Sequence, residues 1–107
     1  MKLPENIEAL VKAQNDSDST TFAEHFTADA TVFDEGSSYS GRNEIKNWIQ
    51  QTTEKYNTQL KPIDFTQTGT KGKLTVEVSG TFPGSPAIMQ YHLGLDDTLI
   101  SSLKITG

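Results

Sequence analysis

Asp34 is the residue of this chain best placed to do chemistry. It closes the run Ala30-Thr31-Val32-Phe33-Asp34, which reads as a short strand. Side chains two apart on a strand share a face, so Asp34 goes with Val32 and away from Phe33. If Val32 faces the interior, the carboxylate is drawn among Trp48, Phe82 and Tyr91. Burial in such company disfavours the charged form and raises the carboxyl pKa. A general base needs that shift to work near neutral pH. The alternative is an aspartate at a strand end that bonds backbone amides of the Glu35-Gly36 turn. Both readings stand on the sequence.

The other ionisable candidates are weaker. Met89, Tyr91, Leu93 and Leu95 alternate with Gln90, His92 and Gly94, so Tyr91 is expected to face inward and His92 the outer surface of a sheet. His25 sits in a short helical run beside Glu24 and reads as exposed. Two separated histidines do not make a metal site. Asp16 and Asp18 lack the glycine and distal glutamate of a calcium loop. Arg42, at a helix start, reads as a surface charge. No cysteine is present, which excludes a disulfide framework, a thiolate nucleophile and a Cys-ligated metal.

Charge and length narrow the function further. The net charge of −5 and pI near 4.8 argue against a nucleic-acid binder, which needs a basic face. No apolar run approaches the ~20 residues that cross a bilayer. The start Met1-Lys2-Leu3-Pro4-Glu5 lacks the apolar region of a secretory signal, so the cytoplasm is the expected compartment. The 107 residues suit one domain. Phe, Leu, Ile and Val supply only 24 of them, a thin core that a partner subunit or ligand would help complete. There is no Gly-rich phosphate loop, and no cofactor is expected.

Three helices and a set of strands must position these residues. Residues 4–15 predict a helix, with Ile7, Leu10 and Val11 on one face and Pro4 at its first position. A short helix is expected over 19–27, with Phe22 and Phe26 one turn apart. A strand at 30–34 turns back through Gly36-Ser37-Ser38 toward Tyr39. Gly41 opens a third helix, with Ser40 as its cap and the stripe Ile45, Trp48, Ile49, Thr52 and Tyr56. From Leu60 the period changes from 3.6 to 2. Ile63 and Phe65, then Leu74, Val76, Val78, Gly80 and Phe82, then Met89 to Leu95, then Leu103 and Ile105 mark successive apolar faces. Turns such as Thr68-Gly69-Thr70-Lys71-Gly72 are too short for helical crossovers, so these strands are expected to be antiparallel. The sum is a single α+β domain over 1–107, with three N-terminal helices packed on a curved antiparallel sheet.

The pieces Phe22-Ala23-Glu24-His25-Phe26, Asp29-Ala30-Thr31-Val32-Phe33-Asp34, Gly41 with Ile45 and Trp48, and Tyr91-His92-Leu93-Gly94-Leu95-Asp96 carry a resemblance over almost the whole chain. The sequence resembles the nuclear transport factor 2-like superfamily, in its SnoaL-like branch. The resemblance implies a cone-shaped roll with a pocket at its open end, and a homodimer through the sheet's outer face. The proton-abstracting aspartate of the superfamily's steroid isomerases falls on Asp34. Their oxyanion-binding tyrosine position holds Leu10, and their neutral-acid position falls near Tyr91. Asp34 and Tyr91 are therefore the expected catalytic pair, with Tyr91 as the donor to a developing enolate.

Trp48, Phe33, Tyr39, Phe65, Phe82 and Met89 are the expected ligand lining, although Phe22, Phe26, Phe65 and Phe82 also suit a plain core. The function these features imply is binding of a small apolar, partly polar molecule, with proton-transfer chemistry of isomerase, lyase or cyclase type. The rival is a dimeric ligand-binding or interaction module without catalysis.

Overall fold

The computed structural model describes residues 3–107. Helix α1 (Glu5–Asn15) is capped by Pro4, which sits just before the first helical residue rather than within it. Glu5 and Glu8 meet the positive end of its dipole. Its buried stripe of Ile7, Leu10 and Val11 extends one more turn to Gln14. Helix α2 (Ser19–Glu24) begins at Asp18, whose carboxylate accepts the Thr21 N–H at 3.1 Å. It stops three residues short of the expected end. The His25 carbonyl is taken by the Ile100 N–H at 2.8 Å, and Phe26 enters the sheet. Phe22 and Phe26 still meet, with ring centroids 5.3 Å apart.

Strand β1 (Phe26–Asp34) folds back into β2 (Ser37–Ser40). Glu35 and Gly36 form a two-residue turn with φ of +51° and +78°, the geometry that matches strand twist. Helix α3 (Arg42–Tyr56) starts from Gly41, not Ser40. The Ser40 side chain makes no cap; its backbone N–H instead donates to Glu44 Oε1 at 2.9 Å. Gly41 holds φ +84°, a conformation that glycine adopts freely. Four strands follow: β3 (Gln59–Thr68), β4 (Lys71–Ser79), β5 (Ala87–Asp96) and β6 (Leu99–Thr106).

The six strands form one sheet in the order β2-β1-β6-β5-β4-β3. All neighbours are antiparallel except β1 and β6, which run parallel. That exception to the expected antiparallel sheet follows from topology. β1 and β6 come from opposite halves of the chain, so no tight turn links them. A second departure lies in β3. The register slips between Pro62 and Asp64, a bulge that turns Ile63 out to 48% exposure; an extra residue at that point reverses the alternation. The helices cover the concave face of the sheet, where Phe22, Phe26, Ile45, Leu74, Ile100 and Leu103 are fully buried. Among the described residues, no helix is long and apolar enough to cross a membrane.

Candidate functional site

A cavity of about 490 Å³ opens between the helices and one end of the sheet. That lies within the usual range for small-molecule sites, ~300–1,000 Å³. α1 contributes Gln14, and α3 contributes Trp48, Thr52 and Tyr56. The β1–β2 hairpin contributes Asp34 and Glu35. The far wall is Val78, Met89 and Ile105, and Phe82 packs beside Tyr56.

Asp34 enters this cavity because Val32, on the same strand face, is fully buried. Its Oδ2 accepts the Trp48 indole N–H at 3.2 Å. Burial pushes its carboxyl pKa above the ordinary aspartate value, and the nearby Glu35 charge adds to this. The Trp48 hydrogen bond and the Glu35 backbone amide pull the other way but do not cancel the shift. The two readings of the sequence therefore meet in one residue. The carboxylate faces the cavity and also feels the turn amide.

Tyr91 sits deeper. It is 3% exposed, and its hydroxyl donates to Gln14 Oε1 at 3.0 Å. Gln14 is equally buried, and its Nε2 donates to Thr58 Oγ1 at 3.4 Å. Burial holds the Tyr91 phenol far above its ordinary pKa, so it stays neutral. Its single hydrogen is committed to Gln14, which fixes the carboxamide and leaves Gln14 as the amide donor of this polar cluster. Among the described residues, Asp34 and Glu35 are the only carboxylates of the lining. Among the described residues no group of three or more metal-ligating side chains converges.

No protein-family model matches the chain, and no curated protein matches it. Solved structures do. A candidate polyketide cyclase from Sinorhizobium meliloti is 31% identical, covers 97% of this chain and 95% of its own, and superposes with a TM-score of 0.92. A nuclear transport factor 2-like protein from Cytophaga hutchinsonii is 14% identical over 99% of this chain and 93% of its own, with a TM-score of 0.79. The chain belongs to the nuclear transport factor 2-like superfamily. A further member of this fold is a ketosteroid isomerase-like protein from Catenulispora acidiphila, solved with trimethylamine. It is 21% identical over 99% of this chain and 87% of its own, with a TM-score of 0.89.

Within this nuclear transport factor 2-like domain, the expected site residues divide into two groups. Asp34, Trp48, Tyr91, Phe82 and Met89 come together around the cavity. Tyr39, Phe65 and Phe33 do not line it. Tyr39 stacks on the Trp48 ring at 5.8 Å and an interplanar angle of 30°. It braces the indole, a contact worth about 0.5–1.5 kcal/mol beyond burial. Phe65 packs over Gly72, toward the other end of the sheet, where a Cβ would come within 3.2 Å of its ring. Phe33 points outward, 46% exposed. The alternation that brings Val32 and Asp34 in must turn Phe33 out, so its place in the lining is corrected.

His92 faces the outer surface and lies 3.0 Å from Thr106 Oγ1. His25 is half-buried at the end of α2 rather than exposed. Arg42 is more than a surface charge: its Nε donates to the Phe26 carbonyl at 2.8 Å and ties the start of α3 to β1.

Sequence reasoning missed Gln14, Thr58 and Glu35. Gln14 carried a signal: it continues the buried stripe of Ile7, Leu10 and Val11 by helical spacing, and a glutamine there must find partners. Thr58 and Glu35 lie in connections, where no periodicity marks them.

Proposed function

We propose that this domain is a SnoaL-like binder of a small apolar, partly polar molecule, and that Asp34 moves a proton within that molecule as general base. The observation that carries the reading is one partly desolvated carboxylate, oriented by the Trp48 N–H, inside a cavity whose walls are otherwise largely apolar. The 31% identity to a candidate polyketide cyclase supports it.

In the chemistry we infer, Asp34 removes a proton from carbon next to a carbonyl. The C–H electron pair forms a C=C bond, and the carbonyl oxygen takes the negative charge. The Gln14 amide, held by Tyr91, donates to that oxygen. The proton then returns to a different carbon, or ring closure consumes the enolate. Tyr91 in this scheme positions Gln14.

Trp48 is the single tryptophan, so intrinsic fluorescence reports the cavity. A panel of steroids and polyketide-like rings is expected to shift its emission. Asp34→Asn is expected to abolish any turnover found while the circular dichroism spectrum stays unchanged. A panel without any shift, or a carboxyl titration of Asp34 with its midpoint at or below ~4, removes the reading.

One observation favours the dimeric module as a second component. The large hydrophobic residues that stay exposed are Phe33, Ile63 and Ile88, at 46%, 48% and 52%. By strand register Phe33 and Ile88 project from the face of the sheet that the helices leave bare, and Ile63 is turned out by the bulge in β3. We propose that a second copy covers them.

A further inference from the structure

The ionisable lining of the cavity carries one sign. Its carboxylates are Asp34 and Glu35, its phenols are Tyr56 and Tyr91, and no lysine, arginine or histidine among the described residues lines it. The chain is not short of cations: it has nine lysines and arginines. Asp34, drawn partly out of water, has the neutral Trp48 N–H as its side-chain donor and no ion-pair partner among the described residues.

The walls beside these acids are aromatic. Tyr56 and Phe82 line one side, edge to face at 6.0 Å, while the Trp48 indole, stacked on Tyr39 and tilted against Phe22, turns its N–H edge to Asp34. The faces of such rings attract cations through their quadrupole. The protein already uses that property at the rim, where the Lys55 ammonium rests 5.0 Å from the centroid of the Tyr56 ring.

We propose that the molecule this cavity takes is an organic monocation: an amine or quaternary ammonium group seated between the Asp34 carboxylate and the aromatic wall, with an apolar body against Val78, Met89 and Ile105. The inference rests on reading the cavity as a ligand site, but not on Asp34 acting as a base. Anions, including carboxylic acids and phosphate esters, are disfavoured by the two carboxylates: among the described residues no cation lines the cavity itself, and Lys55, which feels the Glu35 charge, lies out at the exposed rim on Tyr56. An ammonium supplies the ion-pair partner that Asp34 lacks among the described residues, and its alkyl groups desolvate readily against the rings.

The test compares benzyltrimethylammonium with neopentylbenzene, the neutral molecule in which carbon replaces nitrogen. Both are titrated into the full chain at neutral pH and low salt, with Trp48 emission as the readout. The cation is expected to bind at least tenfold more tightly. Asp34→Asn should cut that affinity about tenfold and leave the neutral isostere within twofold. The asparagine oxygen still accepts the Trp48 N–H, so the fold should survive, and binding of the isostere by the variant checks that it does. A cation that binds no better than the isostere, or an Asp34→Asn variant that binds the cation as tightly as wild type, overturns the inference while leaving the apolar-ligand reading in place. If neither molecule binds, both the inference and that reading fall.

Discussion

Tyr91→Phe is the sharpest probe of the polar cluster at the base of the cavity. The substitution removes one hydroxyl and keeps the ring, so apolar packing is preserved. What changes is the Gln14 carboxamide. Its Oε1 loses the donor that holds it at 3.0 Å, in a place where Gln14 and Tyr91 are each 3% exposed. A buried acceptor stripped of its partner costs about 1–3 kcal/mol. The phenylalanine needs no hydrogen bond of its own, so the lower half of that range applies, about 1–2 kcal/mol. For a domain near this size each kcal/mol moves the melting point by roughly 4–8 °C, so a fall of about 4–16 °C is expected.

Urea unfolding followed by Trp48 emission would measure the cost directly, with the denaturant slope unchanged. Gln14→Met should cost a similar amount, because it strands the Tyr91 hydroxyl and Thr58. The double variant removes both members of the pair. Its cost should fall short of the sum by about 1 kcal/mol, since neither polar group is left unpaired. A Tyr91→Phe variant within about 0.3 kcal/mol of wild type, or a cycle additive within about 0.5 kcal/mol, would refute the reasoning. Either result would mean that Gln14 draws its donor from the open cavity and that Tyr91 does not position it.

Two further outcomes follow from the same structure. Asp34 holds its proton to a higher pH in the folded chain than in the unfolded one, so ionising it costs stability as pH rises through the folded pKa. Asp34→Asn should therefore melt above wild type at pH 7, with the gap closing below about pH 4; a variant that melts lower at pH 7 would show the carboxylate to be stabilised by its surroundings. On the outer face, Phe33→Lys with Ile88→Lys should convert a dimer to a monomer by light scattering at micromolar concentration without lowering the melting point of the monomer. A wild-type chain of monomer mass would dismiss the proposed interface.

The helices and most strand faces were legible because burial imposes a period. Trp48 and Ile49 on α3, and Leu74, Val76 and Val78 on β4, fall where spacing alone puts them. Asp34 was legible for the same reason, two residues beyond a buried valine. Ile63 was not, because a bulge shifts the phase of β3 without leaving a mark in residue type. The cap of α3 was misplaced by one residue, since Ser40 and Gly41 both suit a helix start and the backbone angle of Gly41 decides. Aromatic character does not reveal depth along the sheet, so from its sequence Phe65 reads as lining. Its position over Gly72 depends on pairing between strands, which no single strand encodes. The parallel contact of β1 with β6 was invisible for a related reason: local turns predict neighbours in sequence, whereas this pair joins Val32 to Leu103.

That parallel contact has a consequence for how the chain is made. β6 comes last in the order of elements yet occupies an interior place in the sheet, with β1–β2 on one flank and β5–β4–β3 on the other. Until residues 99–106 have left the ribosome, the two flanks have no strand to join them, and the edges of β1 and β5 stay open. The nascent polypeptide must therefore wait, with two half-built sheets exposed to wrong partners, until β6 slides between them and closes the gap in one late, long-range step.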